Sequence, residues 1–76
     1  DAPWVAFISP PWPLFRERSA DLVALVAAVM HAAPPGSTIV VESDEAFDPA
    51  GLPDPDGWRS RPIPPAVLHL RGGLVS

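Results

Sequence analysis

The chain has 76 residues, no cysteine, 47% hydrophobic and 18% charged residues, and a formal net charge of −4. That length allows one domain at most, of a size that buries only about 60% of the surface its unfolded form exposes, and the missing cysteines exclude a disulfide framework or a thiolate zinc site. The only cations are Arg16, Arg18, Arg59, Arg61 and Arg71, which form no basic stripe and so exclude strong nucleic-acid binding by these residues alone.

So low a charged fraction on so small a chain predicts apolar surface that meets another piece of protein. The chain starts with Asp1 rather than methionine, and the expectation is a piece cut from a longer polypeptide.

In chain order, Trp4 to Ile8 is continuously apolar. Such a run predicts a strand buried on both faces, as in a parallel sheet. Pro10, Pro11 and Pro13 stop it, since proline donates nothing to a ladder. A helix is expected from Ser19 to Ala33. Ser19 is a suitable N-cap, and Asp21 places an anion in the first turn. Leu22, Val26, Val29 and Ala33 mark one face, Leu25 and Met30 widen it, and alanines fill the rest, so the helix reads as buried. Phe15 reads as a core aromatic anchoring its start, in preference to a lid, and His31 near its C-terminus is a favourable dipole partner. Pro34-Pro35-Gly36 ends it.

Ser37 to Glu42 is β-branched and apolar, a second buried strand. Strand, helix and strand at this spacing predict a βαβ unit with parallel strands and a right-handed crossover. Residues 43–57 are polar, acidic and rich in Pro and Gly, and read as a loop. Trp58 to Ile63 and Ala66 to Arg71 are expected to pair antiparallel at a sheet edge, with His69 on the surface there and residues 72–76 as a tail. Trp4 and Trp58 read as packing residues.

No metal site is expected. His31 and His69 lack ligand spacing, and Ser43-Asp44-Glu45 reads as a solvated acidic loop. The most apolar stretch, Leu22 to Met30, is far short of the ~20 residues of a membrane span, and no signal peptide is visible. No membrane partner is therefore expected, and a cytoplasmic location is.

Ser9-Pro10-Pro11-Trp12 is the most informative segment. In an open α/β sheet, ligands bind beyond the carboxyl ends of the strands. Ser9 to Trp12 leaves that end of the first strand; Glu42 and Ser43 leave that end of the second. Pro10 and Pro11 stiffen the turn, so its carbonyls point in set directions. A Ser9 hydroxyl beside the Pro10 carbonyl offers two acceptors to the two N–H groups of an exocyclic amine, and Trp12 offers a flat face for an extruded base. The rival reading takes Pro10 and Pro13 as a Pro-x-x-Pro ligand for a proline-binding module, which makes the chain a non-catalytic, proline-rich interaction fragment.

Val5-Ala6-Phe7-Ile8-Ser9-Pro10-Pro11-Trp12, with the following helix and the Pro35-Gly36-Ser37-Thr38-Ile39-Val40-Val41-Glu42-Ser43 segment, resembles the C-terminal half of a class I, S-adenosylmethionine-dependent methyltransferase. It is most similar to the RsmD family, which methylates guanine N2 in 16S ribosomal RNA. Gly51-Leu52-Pro53 and Trp58-Arg59 resemble that family's loop into its last two strands. The resemblance implies an α/β fold over residues 1–76: a single partial domain with a partial Rossmann-like methyltransferase sheet, built from a βαβ unit plus a C-terminal antiparallel strand pair. It also implies S-adenosylmethionine as cofactor, RNA as substrate, rRNA processing as the setting, and Ser9, Pro10, Pro11 and Trp12 as catalytic residues. Ser-Pro-Pro-Trp is compatible with adenine-N6 methylation too. The family's Gly-rich cofactor loop has no counterpart here, so the expectation is an inactive fragment whose RNA contacts come mainly from a missing N-terminal half. Ser9 takes no proton at neutral pH, which sends the amine proton to solvent.

Overall fold

The computed structural model describes residues 2–72. They form a small mixed α/β domain: one four-stranded sheet with two helices against one face. The elements in order are β1 (Val5–Ile8), α1 (Leu14–Glu17), α2 (Ser19–Ala32), β2 (Thr38–Asp44), β3 (Arg59–Ile63) and β4 (Ala66–Gly72). The expected tail begins inside β4, and its last four residues lie outside the described ones.

The strand order is β1-β2-β4-β3. β1 runs parallel to β2, with Val5 opposite Thr38 and Ile8 opposite Val41. β4 lies antiparallel to both β2 and β3. The parallel pair and the antiparallel hairpin therefore agree with the sequence. The placement of the hairpin does not: only β3 is at the edge, while β4 is inserted beside β2 and is an interior strand.

Alternation sorts the side chains. Ala6, Ile8, Ile39 and Val41 face the helices, where they meet Phe15, Leu22, Val26, Val29 and Met30. Val5, Phe7, Val40, Leu68 and Leu70 occupy the opposite face by the period of two. No helix among the described residues covers that face. β1 is accordingly an edge strand buried on one side only, with Val5 60% and Phe7 61% exposed. The expectation of a strand covered on both faces fails because an uninterrupted apolar run records what a strand tolerates, not how many layers the chain supplies.

α2 also begins differently from its sequence signal. Ser19 is the first helical residue and makes no cap; Arg18 holds the cap position, where its carbonyl accepts from Leu22 N at 3.0 Å. α1 ends one residue earlier, so the cap position falls to Arg18, whose guanidinium pairs with Asp21. Residues 45–57 contain two single turns of 3-10 helix, Pro49–Gly51 and Pro55–Gly57. The first is capped by Asp48, whose carboxylate accepts from Ala50 N at 2.9 Å. Trp58 Nε1 donates to the Pro53 carbonyl at 2.8 Å, and Arg71 pairs with Asp54 at 2.8 Å, so the later part of this loop is tied to β4 and to the residue before β3.

Candidate functional site

The end of β1 is fixed by its ladder. Trp4 accepts from Thr38 N at 2.9 Å and donates to Ser37 Oγ at 3.0 Å. With Ile8 opposite Val41, Ser9 leaves β1 level with Glu42, which lies within β2, two residues before its end at Asp44. The Ser9 hydroxyl donates to Glu42 Oε1 at 2.5 Å. Its one proton is thereby committed, and both oxygen lone pairs are left to accept.

Pro10 and Pro11 carry the chain away from the sheet. The Pro11 carbonyl accepts from Leu14 N, the Trp12 carbonyl from Phe15 N and the Pro13 carbonyl from Arg16 N, at 3.0 to 3.1 Å. The Pro10 carbonyl takes no hydrogen bond from the described residues. Ser9 and Pro10 thus present two unused acceptors in sequence. Pro13 has φ −57° and ψ −25°, a helical conformation. A Pro-x-x-Pro ligand needs the extended left-handed helix near φ −75° and ψ +145°, so this segment is not preformed for a proline-binding module.

The four motif residues do not all converge. Ser9 is drawn to Glu42, beside the open face. Pro10 lines a small apolar crevice with Phe15, Leu22, Val26 and Phe47 on the helix side. Pro11 is exposed. Trp12 packs against the core cluster and is half-buried. The expectation that the Trp12 ring aims with the two oxygens into one cleft is therefore corrected. The short helix α1 starts two residues later and turns the ring inwards, where apolar contact stabilises it.

Glu42 gains a role that the sequence left open. A hydroxyl bonded to a carboxylate passes its own proton along as it takes another. The Ser9 hydroxyl and the Glu42 carboxylate are thus placed to pass a proton between them. The sequence placed both residues at strand ends, although β2 continues past Glu42 to Asp44.

A second polar cluster was missed altogether. His69 is 1% exposed and Ser43 0%. The expectation of a surface His69 fails because β4 is interior. Ser43 Oγ lies 2.8 Å from His69 Nε2 and donates to the Asp44 carbonyl at 2.9 Å. With that proton used, Nε2–H must donate to Ser43, and Nδ1 then accepts from the Ser60 hydroxyl at 2.8 Å. His69 is thus held as a neutral Nε2–H tautomer, and burial pushes its pKa below the ordinary 6.5. The Phe47 ring stands edge-on to it at 5.5 Å and contacts the Phe15 ring at 4.7 Å. Phe15 is buried, in agreement with the core role expected of it.

Among the described residues, no group of three or more His, Asp or Glu side chains is placed to hold a metal, and no helix is long and apolar enough to cross a membrane. No protein-family model, curated protein or solved structure matches the chain.

Proposed function

We propose that the Ser9–Trp12 corner is the amine-positioning element of a class I methyltransferase that acts on an exocyclic amine of a nucleobase in RNA, with guanine N2 as the preferred target. The observation that carries this reading is the Ser9–Glu42 hydrogen bond at 2.5 Å. It fixes Ser9 as a pure acceptor beside the unused Pro10 carbonyl. Two acceptors on a stiff corner match the two N–H donors of an amine and set its nitrogen for attack, which is catalysis by positioning. Trp12, half-buried against the core, supports the corner as an apolar wall and not as a stacking face. The parallel pair with its hairpin supports the Rossmann-like sheet that the resemblance implies.

S-adenosylmethionine, the methyl donor of that family, does not fit the residues described. Its Gly-rich loop would follow a parallel strand. Gly36 instead precedes β2, Gly51 and Gly57 close isolated 3-10 turns, and Gly72 ends β4. No step through the cofactor is derived from this chain, whose contribution is to hold the amine and to take its proton through Ser9 to Glu42.

The test is nuclear magnetic resonance titration of the chain with guanosine and with inosine, which lacks only the exocyclic amine. Guanosine is expected to shift the Ser9 amide and the Trp12 indole N–H signals, and inosine to bind about tenfold more weakly, the loss of roughly 1.4 kcal/mol of hydrogen bonding. Equal responses to the two nucleosides, or none at either residue, would refute the assignment.

A further inference from the structure

Ser60 sits on the edge strand β3, every residue of which is exposed, yet its hydroxyl turns inwards. Ser60 Oγ lies 2.8 Å from Nδ1 of His69, the residue opposite it on β4. Water is within reach of this hydroxyl, but it donates to an imidazole that is 1% exposed. Behind the ring, Nε2–H donates to Ser43 Oγ at 2.8 Å, and Ser43 donates to the Asp44 carbonyl at 2.9 Å. The amine-positioning corner uses none of these groups.

An accessible hydroxyl, a neutral imidazole nitrogen that accepts its proton and a third group that fixes the tautomer are the parts of an activated nucleophile. The ring has room in this network for a second proton. Nδ1–H would then be held by Ser60 Oγ and Nε2–H by Ser43, whose hydroxyl leans on the Asp44 carbonyl, so neither donor of the cation is left unpaired. The edge strand supplies one more part. Pro62 has no N–H and takes a position whose backbone groups face away from β4. Backbone groups alternate along a strand, so Ser60, two residues earlier, also turns its N–H outwards. That N–H is free to donate to an oxyanion on a carbon bonded to Ser60 Oγ.

We propose that Ser60 is a nucleophile for acyl transfer from activated carboxylic esters, with His69 as its general base. In the first step Ser60 Oγ bonds to the acyl carbon and its proton passes to His69 Nδ1. The ester C–O bond then breaks, the leaving alcohol takes up that proton, and the acyl group stays on Ser60. Water attacks the acyl carbon by the same route, giving its proton to His69, and the acid leaves as Ser60 recovers the proton. The group behind the imidazole is a hydroxyl and not a carboxylate, so the imidazolium is weakly stabilised and turnover is slow.

The probe is p-nitrophenyl acetate, with the acetylated serines located by mass spectrometry. Ser19, exposed at the start of α2, is the reference within the same chain. Ser60 should be acetylated about a hundredfold faster than Ser19, the lower end of what a positioned base supplies. Its rate should fall as pH drops below 6.5 and the ring gains its proton, and should level off above about pH 7, whereas Ser19 reacts through hydroxide and keeps accelerating. The charges around the ring are turned away or engaged. Glu42, Arg59 and Arg61 alternate to the other face of the sheet, Asp44 is paired with Arg16 and Arg71 with Asp54, Asp48 accepts from Ala50 N, and Glu45 is exposed. Ser60→Ala, at an exposed position, should lose the fast label and keep the wild-type circular dichroism. His69→Gln, where it folds, should slow Ser60 to the Ser19 rate; where it does not, the pH profile of the wild type decides. A Ser60 rate less than tenfold above that of Ser19, or one that keeps rising with hydroxide above pH 7, overturns the proposal. None of these readouts depends on methyl transfer.

Discussion

His69 shows how one buried side chain couples stability to pH. In the folded chain it is neutral, and burial holds its pKa below 6.5; in the unfolded chain it titrates near that ordinary value. The unfolded state therefore binds the extra proton first as pH falls. Stability should be full above pH 6.5 and should decline as pH drops from there towards the folded-state pKa. Urea unfolding of the wild type and of His69→Gln at pH 8 and pH 5.5 checks this. The difference between them should shrink on acidification, because the variant has no proton to bind at that position. At the same scale, the sequence revealed Ser9 and Glu42 as neighbours from strand ends alone. It did not reveal Ser43, His69 and Ser60 as a hydrogen-bonded set, because their contact spans 26 residues in one step and depends on which strand the last segment joins.

At the scale of elements, the local signals identified most elements but not all their ends, such as the cap of α2 and the end of β2. Proline breaks, β-branched runs and the spacing of the strand, helix and strand identified β1, α2, β2 and the hairpin. Which face of β1 would be covered, and which hairpin strand would sit inside the sheet, depends on contacts the local pattern does not encode. One residue nevertheless marks the join. Gly72 has φ +139°, and a Cβ there would lie 2.1 Å from the Ser37 carbonyl oxygen and 2.7 Å from Thr38 Cα. The close approach lets the end of β4 pair with the start of β2, opposite Thr38. Gly72→Ala should cost about 2–4 kcal/mol, from backbone strain and displacement of β2. Gly51→Ala meets nothing within 4 Å and should stay within about 0.5 kcal/mol of the wild type in the same denaturation assay.

At the scale of the whole molecule, the core is small. Phe15, Val26, Ile39, Val41 and Leu52 form it, with a ring of half-buried neighbours, under one face of a sheet whose other face no helix among the described residues covers. This agrees with the composition, whose scarcity of charge predicts apolar surface with another destination. It also bounds the chemistry. On the proposed reading these residues supply the amine-positioning corner without a cofactor loop, so the 76-residue chain alone should transfer no methyl group from labelled S-adenosylmethionine to ribosomal RNA. Incorporation above a no-protein control would show that a donor site exists after all.

The chain of ring contacts from Phe15 through Phe47 to His69 has a practical result. Phe15 follows the Ser9–Trp12 corner by three residues and stands at the start of the relay, while the imidazole at its far end is sealed from solvent. A ligand that moves α1, and through Phe15 the Phe47 ring, alters the ring current felt by the imidazole protons. The molecule thus carries its own spectroscopic gauge of occupancy, remote from the ligand and readable without a label.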